Sequence, residues 1–422
     1  MNIWLFQSGE PLHCDLDDPR PMRAMNLANK LVARGHKVVL WSSAFYHQSK
    51  THRSRHYKEI IISENIEIRL IPSSGYTSNI SISRFYDHCL LAWNLRRFLN
   101  TCDDVPDVAF VGYPPIEAAY VMGDWLRTKK VPFLLDVKDQ WPNVLVESAP
   151  SPVRFLARIL LAPYYVMGKR SLRSATGVCA HTAGFLNWAL TFSDRPRSDN
   201  DFVAPLTSPS DGIKPESMIR AQNWWSSQGV VNTLIFRVMF VGSFSRAFDF
   251  DTVFSAASML RQQNIACEFI LCGDGDRDEE LRLISEDHDN VRIVGWIDRP
   301  AVKALSLISN AAIAPYKSTH DFTISVPNKI IDSLMLGLPI LSPLKGEVGT
   351  LLSEYNVGFT YRDSSDLCEC ISSLIADNES QKSMSDNAKS LYESKFEFDS
   401  VYDSLVEHLE HLQTIRMIKT YE

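Results

Sequence analysis

Ser325-Val326-Pro327-Asn328-Lys329-Ile330-Ile331-Asp332, followed within one turn by Leu336-Gly337-Leu338-Pro339-Ile340-Leu341, is the stretch on which the fold turns. The first run reads as a loop entering a helix behind a proline. The second reads as the helix end, a glycine turn and a buried strand. Amide N–H groups at a helix start have no partner inside the helix, and the macrodipole places partial positive charge there. Those amides and Lys329 suit a diphosphate, while Asp332, one turn on, can accept hydrogen bonds from ribose hydroxyls. A proline-started helix packed under a strand with no ligand has the same local pattern.

Outward from this stretch, strand and helix signals alternate. In the second half the expected strands are Arg237–Val241, Glu268–Cys272, Val291–Val294, Ala311–Ala314, Pro339–Ser342 and Gly358–Tyr361. Helical patterns at Asp251–Gln262, Asp278–Glu286, Arg299–Ser306, Asn328–Leu336, Asp366–Ala376 and Gln381–Ser394 lie between and after them. The first half repeats the scheme with strands at Ile3–Gln7, Lys37–Trp41, Ile66–Ile71, Val108–Gly112, Phe133–Val137 and Gly177–Ala180. Its helices are expected at Met22–Ala33, Arg84–Leu99, Pro115–Arg127 and Val153–Leu172. This alternation predicts α/β domains with parallel sheets and helices on both faces. The pattern dissolves between Pro205 and Gly229 apart from a short helix expected around Trp224, so the expected division is 1–204, a connection at 205–232, 233–396, and a last helix in 397–422.

Composition bounds the function. With 422 residues, 45% of them apolar, the chain can build more than one core. Residues 1–190 carry 22 Lys+Arg against 16 Asp+Glu, and residues 191–422 carry 21 against 34. A basic first half suits an anionic membrane or a phosphate-bearing acceptor, while the acidic total and the lack of finger or arginine-rich motifs argue against nucleic acid. Eight scattered cysteines read as reduced thiols, and Cys368-Glu369-Cys370 is too closely spaced for the usual zinc pairs. Met1–Phe6 reads as a first strand rather than an export signal, and no uncharged run is long enough to span a bilayer. The location expected is cytoplasmic.

Three further motifs follow strands of the second half: Phe240-Val241-Gly242-Ser243-Phe244, Leu271-Cys272-Gly273-Asp274-Gly275-Asp276, and Asn290 through Ile297. With the 325–332 stretch they resemble the signatures of GT-B glycosyltransferases, specifically the retaining family 4, in its surface-polysaccharide subset. The resemblance is closest over residues 236–361 and looser over 1–180. It implies GT-B architecture, two facing Rossmann-like doubly wound domains with a deep cleft, and a C-terminal helix (Phe398–Ile415) crossing back to the first domain. It also implies donor contacts from Gly242, Ser243, Ser325, Val326, Asn328, Lys329 and Asp332, with Trp296 and Ile297 at the nucleobase. Trp296 is equally well read as packing.

The chain departs from the family in two places. The lysine usual in the loop after the first strand is replaced by Phe248-Asp249, which leaves Arg246 as the substitute cation. The first of the family's two acids is Ile324, so Asp321 or amides near Ser325 and Val326 would have to read the sugar. Asp249-Phe250-Asp251 spells an Asp-x-Asp metal pattern but is better read as a helix cap at Asp251-Thr252.

In the first domain, Ser8-Gly9-Glu10, the Asp17-Asp18-Pro19-Arg20 segment and Arg23 form a loop ahead of a helix that suits phosphates or sugar hydroxyls of an acceptor. Leu135-Asp136-Val137-Lys138-Asp139-Gln140-Trp141-Pro142 resembles a segment of the polysaccharide-building subset, which makes Lys138 and Asp139 the catalytic candidates; an ion pair between them is the plain alternative. His47, Lys50, His52 and Arg53 form a basic loop that either holds the phosphate of a lipid-linked acceptor or is simply solvated. Val153–Arg173 is basic and amphipathic, fit for an anionic membrane or for covering the sheet, with Pro163 expected to kink it. The expected function is metal-independent, cofactor-free transfer from a nucleotide-sugar, UDP-linked by preference, to a lipid-linked glycan at the inner face of the cytoplasmic membrane. Two alternatives remain, a nucleotide-sugar epimerase of the same architecture and a non-catalytic donor-binding partner subunit.

Overall fold

The computed structural model describes residues 1–15, 20–79, 81–147, 149–209 and 212–421, with only the backbone for 320, 321 and 415–421. Asp17, Asp18 and Pro19, and the Asp321 side chain, lie outside the described residues. The chain forms two compact units, residues 1–205 with 400–422, and residues 206–399.

The first unit is built on an eight-stranded sheet in the order Phe202–Val203, Gly177–Ala180, Phe133–Val137, Val108–Tyr113, Asn2–Phe6, Lys37–Ser43, Ile66–Ile71 and Lys58–Ser63. Only Lys58–Ser63 runs antiparallel to its neighbour. The central strands are covered on both faces, so they are apolar throughout rather than alternating: Trp4, Leu5, Val38, Val39 and Leu40 have no exposed surface. Strand order reverses between Asn2–Phe6 and Val108–Tyr113. The loops leaving the carboxyl ends of those strands therefore diverge and open a crevice for ligands.

Two expectations change here. The helix foreseen at Val153–Leu172 is a single turn at Ser151–Val153, a helix at Arg154–Leu160 and another at Ala162–Ser174. Pro163 sits in the first turn of the last, where its missing N–H costs nothing, so it starts a helix rather than kinking one. Nor does Arg154–Leu160 cover the sheet, because none of its residues is buried. The C-terminal helix, Phe398–Tyr421, packs into the first unit. Leu405, Leu409 and Leu412 are fully buried, Lys30 pairs with Asp403 at 3.3 Å, Arg34 with Glu407 at 3.0 Å, and His36 contacts Glu410 at 2.8 Å.

The second unit has a six-stranded, wholly parallel sheet: Val291–Val294, Cys267–Cys272, Phe236–Val241, Ala311–Ile313, Ile340–Ser342 and Gly358–Thr360. Its order reverses between Phe236–Val241 and Ala311–Ile313. The quoted stretch behaves as read: Pro327 precedes a helix at Asn328–Leu336, and Gly337 ends it in the left-handed conformation. The region expected as connection contains a full helix, Pro215–Ser227, anchored by Trp225, whose indole N–H donates to the Ala301 carbonyl at 2.8 Å. All eight cysteines are free thiols. Among the described residues no helix is long and apolar enough to cross a membrane.

Candidate active site

The second unit's switch point brings four of the sequence-selected segments together. Val241 ends its strand and Gly242 turns out of it with φ +153°; a Cβ there would lie 1.5 Å from Lys329 Nζ. Lys329 reaches across from the second position of its helix, donates to the Val241 carbonyl at 2.5 Å, and stands over the Phe240 and Phe248 rings at 4.8 and 5.2 Å. Only glycine leaves room for that ammonium. Gly273, ending the adjacent strand, is as constrained: its Cβ would meet the Gly242 carbonyl oxygen at 1.8 Å. Pro327, the cap residue, has no side chain to accept from the first amides of the Lys329 helix. A cation, a helix N-terminus and two bare glycine backbones thus gather at the ends of two adjacent strands, an arrangement suited to an anion.

Around this centre the remaining donor candidates divide. Ser243 and Asn328 are exposed, and Arg246 is exposed in the same loop as Ser243. Asp332 is half-buried and close enough to Tyr316 that, after burial, its charge is the next cause raising the Tyr316 hydroxyl pKa. Ser325 and Val326 are buried at 8% exposure each, and Val326 belongs to the core. Ile297, 8% exposed, belongs to the apolar cluster that holds Trp225, and it lines the same pocket as Trp296. Trp296 is 74% exposed and lines a pocket of about 330 Å³ with Ser217, Arg220 and Trp224, so it is not core packing.

The structure adds a residue the sequence reading missed. Lys317 follows the Ala311–Ile313 strand, its amide donates to the Ala247 carbonyl at 2.8 Å, and Phe248 bridges to Tyr316 beside it. It therefore lies against the loop whose expected lysine is absent. Hydrogen bonding to Arg277 holds the Glu280 carboxyl below its usual range, with smaller contributions from Arg246 and Lys317. No local signal marks Lys317, because the pairing that places it is long-range. The helix cap is Asp249, which accepts from the Thr252 amide at 3.3 Å, whereas Asp251 pairs with Arg277 at 3.0 Å. This moves the cap by two residues from the position expected.

In the first unit the acceptor candidates form a buried charge network. Arg23 and Asp136, 7% and 1% exposed, are joined by two contacts of 3.0 Å; Arg23 also donates to the Ala204 carbonyl and Cys179 Sγ. Glu10, 5% exposed, accepts from the Ala24 amide at 2.9 Å and from Gln7 at 3.1 Å, and pairs with Lys138. Lys138 in turn lies 3.8 Å from Asp136. Arg23 and Glu10 are thus positioning residues rather than open acceptor contacts, since buried charges are held by one another. Asp139, the next residue, is exposed, and Gly9 takes a left-handed turn against His47.

The basic loop is less cationic than its sequence. Burial, aided by Lys50 and Arg84, pushes the His47 imidazole down to about 4, so it is neutral at pH 7. Its Nδ1 meets the Tyr76 hydroxyl at 2.5 Å. The Arg53 side chain is largely covered and pairs with Asp15 at 2.6 Å. Lys50 donates to Asn79 at 2.6 Å and stands 4.7 Å over the Tyr76 ring. Arg84, unremarked in the sequence, lies 5.0 Å over the Trp141 ring and links this loop to the Lys138–Pro142 segment.

Residues 235–377 match the Glycosyl transferases group 1 family. No curated protein matches by sequence. Among solved structures the chain is similar to sucrose-phosphate synthase from Thermosynechococcus elongatus, with TM-score 0.71, 14% identity, and 98% of this chain and 99% of that one covered. It is similar to HepE from Anabaena, solved in complex with UDP-glucose, with TM-score 0.64, 16% identity, and 97% and 100% covered. A third likeness is to WaaG, a glycosyltransferase involved in lipopolysaccharide biosynthesis, with TM-score 0.62, 13% identity, and 97% and 99% covered. The Gly242–Lys329 cluster falls inside the matched family region, and the fold is shared along nearly the whole chain. The protein is a glycosyltransferase of GT-B fold, and its residues 235–377 are a group 1 glycosyltransferase domain.

Proposed function

We propose that the protein transfers a sugar, with retention of configuration and without a metal ion, from a UDP-sugar to a lipid-linked oligosaccharide. The setting is synthesis of a surface polysaccharide, an O-antigen or capsule, at the inner face of the cytoplasmic membrane. The observation that carries the donor half is the fit of Lys329 into the space left by Gly242. Lys329, the amides ahead of it, Arg246 and Lys317 would stabilise charge as it develops on the leaving diphosphate. Asp332 would hold the ribose and Trp296 the base. The HepE structure with UDP-glucose supports the choice of nucleotide, and the stated role of WaaG supports the class of product.

On the acceptor side, Lys138 is fixed by Glu10 and leaves the exposed Asp139 as the base for the acceptor hydroxyl. Asp139→Asn should then lower kcat by about 100-fold or more while leaving UDP affinity alone. Equal losses in both would remove that role.

Calorimetric titration of UDP, GDP and CMP, with and without EDTA, tests the donor site. UDP should bind tightly whether or not EDTA is present, and Lys329→Ala and Asp332→Ala should each weaken it about ten-fold or more. Binding of none of the three counts against donor use, and EDTA-sensitive binding returns Asp249 and Asp251 as metal ligands.

A further inference from the structure

Lys50 lies in the loop after Lys37–Ser43, and Arg84 in the first turn of Ile82–Asn100, after the strand Ile66–Ile71. Both segments follow the carboxyl ends of parallel strands, the side on which such sheets bind ligands. Elsewhere in this unit the cations Arg23, Arg53 and Lys138 are each paired with a carboxylate. Among the described residues the hydrogen-bond partners of Lys50 and Arg84 are all neutral.

Aromatic rings and one asparagine hold the two cations. Lys50 donates to Asn79 Oδ1 at 2.6 Å and stands 4.7 Å over the Tyr76 ring. Arg84 donates to the Asn79 carbonyl at 2.8 Å and lies 5.6 Å over Tyr76 and 5.0 Å over Trp141. Ring faces stabilise a cation without cancelling its charge. The acids of this region, Asp87 and Glu117, are buried and turned to the Gly75 amide and the Tyr164 hydroxyl. Burial, and then the Arg84 charge, lowers the Lys50 ammonium pKa, a repulsion that an anion touching both groups would relieve. His47 adds a donor. Its Nδ1 meets the Tyr76 hydroxyl at 2.5 Å and the Lys50 ammonium at 3.1 Å, which leaves the proton of the neutral ring on Nε2.

Among anions a phosphoryl group matches this set best. It carries about two negative charges at pH 7 and three acceptor oxygens, against the single charge of a carboxylate. An ammonium, a guanidinium and an imidazole N–H supply one donor group for each oxygen. The Ile82–Asn100 helix adds the positive end of its dipole. Through the Arg84–Trp141 contact the cluster borders the segment that carries Asp139, so an anion held here belongs to the molecule that receives the sugar. We propose that Lys50, Arg84 and His47 bind a phosphoryl group of the acceptor. The inference rests on the acceptor-side reading above and names a group that the acceptor must carry. The diphosphate of a lipid-linked glycan and the phosphate ester of a soluble sugar both present it.

The test is titration calorimetry on the full chain with UDP already added, so that the donor site is filled. Geranyl diphosphate and glucose 6-phosphate are the probes, and glucose is the uncharged control. At least one phosphorylated probe should bind, and glucose should not. Binding of geranyl diphosphate alone assigns the site to a lipid-linked acceptor, and of glucose 6-phosphate alone to a soluble sugar phosphate; binding of both means that the phosphoryl group is read whatever carries it. Lys50→Gln and Arg84→Gln should each weaken the bound probe about ten-fold or more and leave UDP affinity at the wild-type value. Binding of neither probe overturns the proposal, as does binding that both substitutions leave untouched. Hydrogen exchange in the unsubstituted protein gives an answer without a variant. The probe should slow residues 47–52 and 81–88, and slowing confined to residues 236–342 overturns the site. The preceding UDP titration separates the two readings: UDP binding without probe binding removes this site alone, and probe binding without UDP binding removes the donor site alone.

Discussion

At the scale of single residues, Gly242 and Lys329 show how a ligand site depends on what is missing. Gly242→Ala would drive a methyl group into the Lys329 ammonium on a backbone that L-residues rarely adopt. UDP affinity should fall at least ten-fold, more than for Ser243→Ala beside it; equal effects in calorimetry would separate Gly242 from the site. Lys317→Ala should also weaken UDP, because it borders the loop that lacks the family's lysine. Glu117 titrates where it matters for stability. Its Oε1 accepts from the Tyr164 hydroxyl, His88 lies 3.9 Å from Oε2, and burial pushes the carboxyl up to about 7. Between an ordinary glutamate pKa and 7 the native state therefore holds more protons than the unfolded chain, so stability falls as pH rises through that window and levels above it. The loss is roughly 3 kcal/mol at most. Glu117→Gln should abolish that slope in melts run from pH 5 to 8, and a variant that keeps it would place the titration elsewhere. Lys329 and Asp332 were legible because they stand beside a proline, a glycine and a strand. The burial of Glu10 and Arg23 was not, because Asp136 and Lys138, which hold them, are more than 100 positions away.

At the scale of elements, legibility followed burial. Strands covered on both faces are continuous apolar runs, and all twelve of those expected overlap observed ones, Ile66–Ile71, Phe133–Val137, Gly177–Ala180 and Val291–Val294 to the residue. Lys58–Ser63 was missed although it carries Ile60-Ile61-Ile62; it is a largely exposed edge strand whose pairing with Ile66–Ile71 is antiparallel, outside the strand–helix alternation that marked the others. Pro215–Ser227 was legible only as a short helix around Trp224 within the connection, because it buries only Ala221 and Trp225. The C-terminal helix shows the opposite case, a clear apolar period whose destination is tertiary. Its Leu409 is fully buried, so Leu409→Ala should cost about 2–5 kcal/mol, seen as a lower urea midpoint for the first unit. Loss of less than about 0.5 kcal/mol would mean that the helix is not an integral part of that core.

At the scale of the whole molecule, two units with their own sheets imply separable responses to ligand. UDP binding to the second unit would stabilise it with the logarithm of UDP concentration, by about 2.7 kcal/mol at 100 times Kd. Hydrogen exchange should slow first in residues 236–342 on adding UDP, with residues 1–205 little changed; equal slowing in both would contradict a donor site confined to the second unit. By itself the sequence determined the α/β class, the repeat of the strand–helix scheme and the chemistry of the 325–332 helix start, because alternation, caps and glycine turns are local and leave local marks. Only the tertiary structure decided that Lys329 fills the space of Gly242, that Arg23 and Glu10 are structural charges, that Lys317 joins the donor loop, and that Arg154–Leu160 stands uncovered. Those outcomes depend on which residues distant in the chain come to share a volume or a charge, and strand order, not local pattern, sets that.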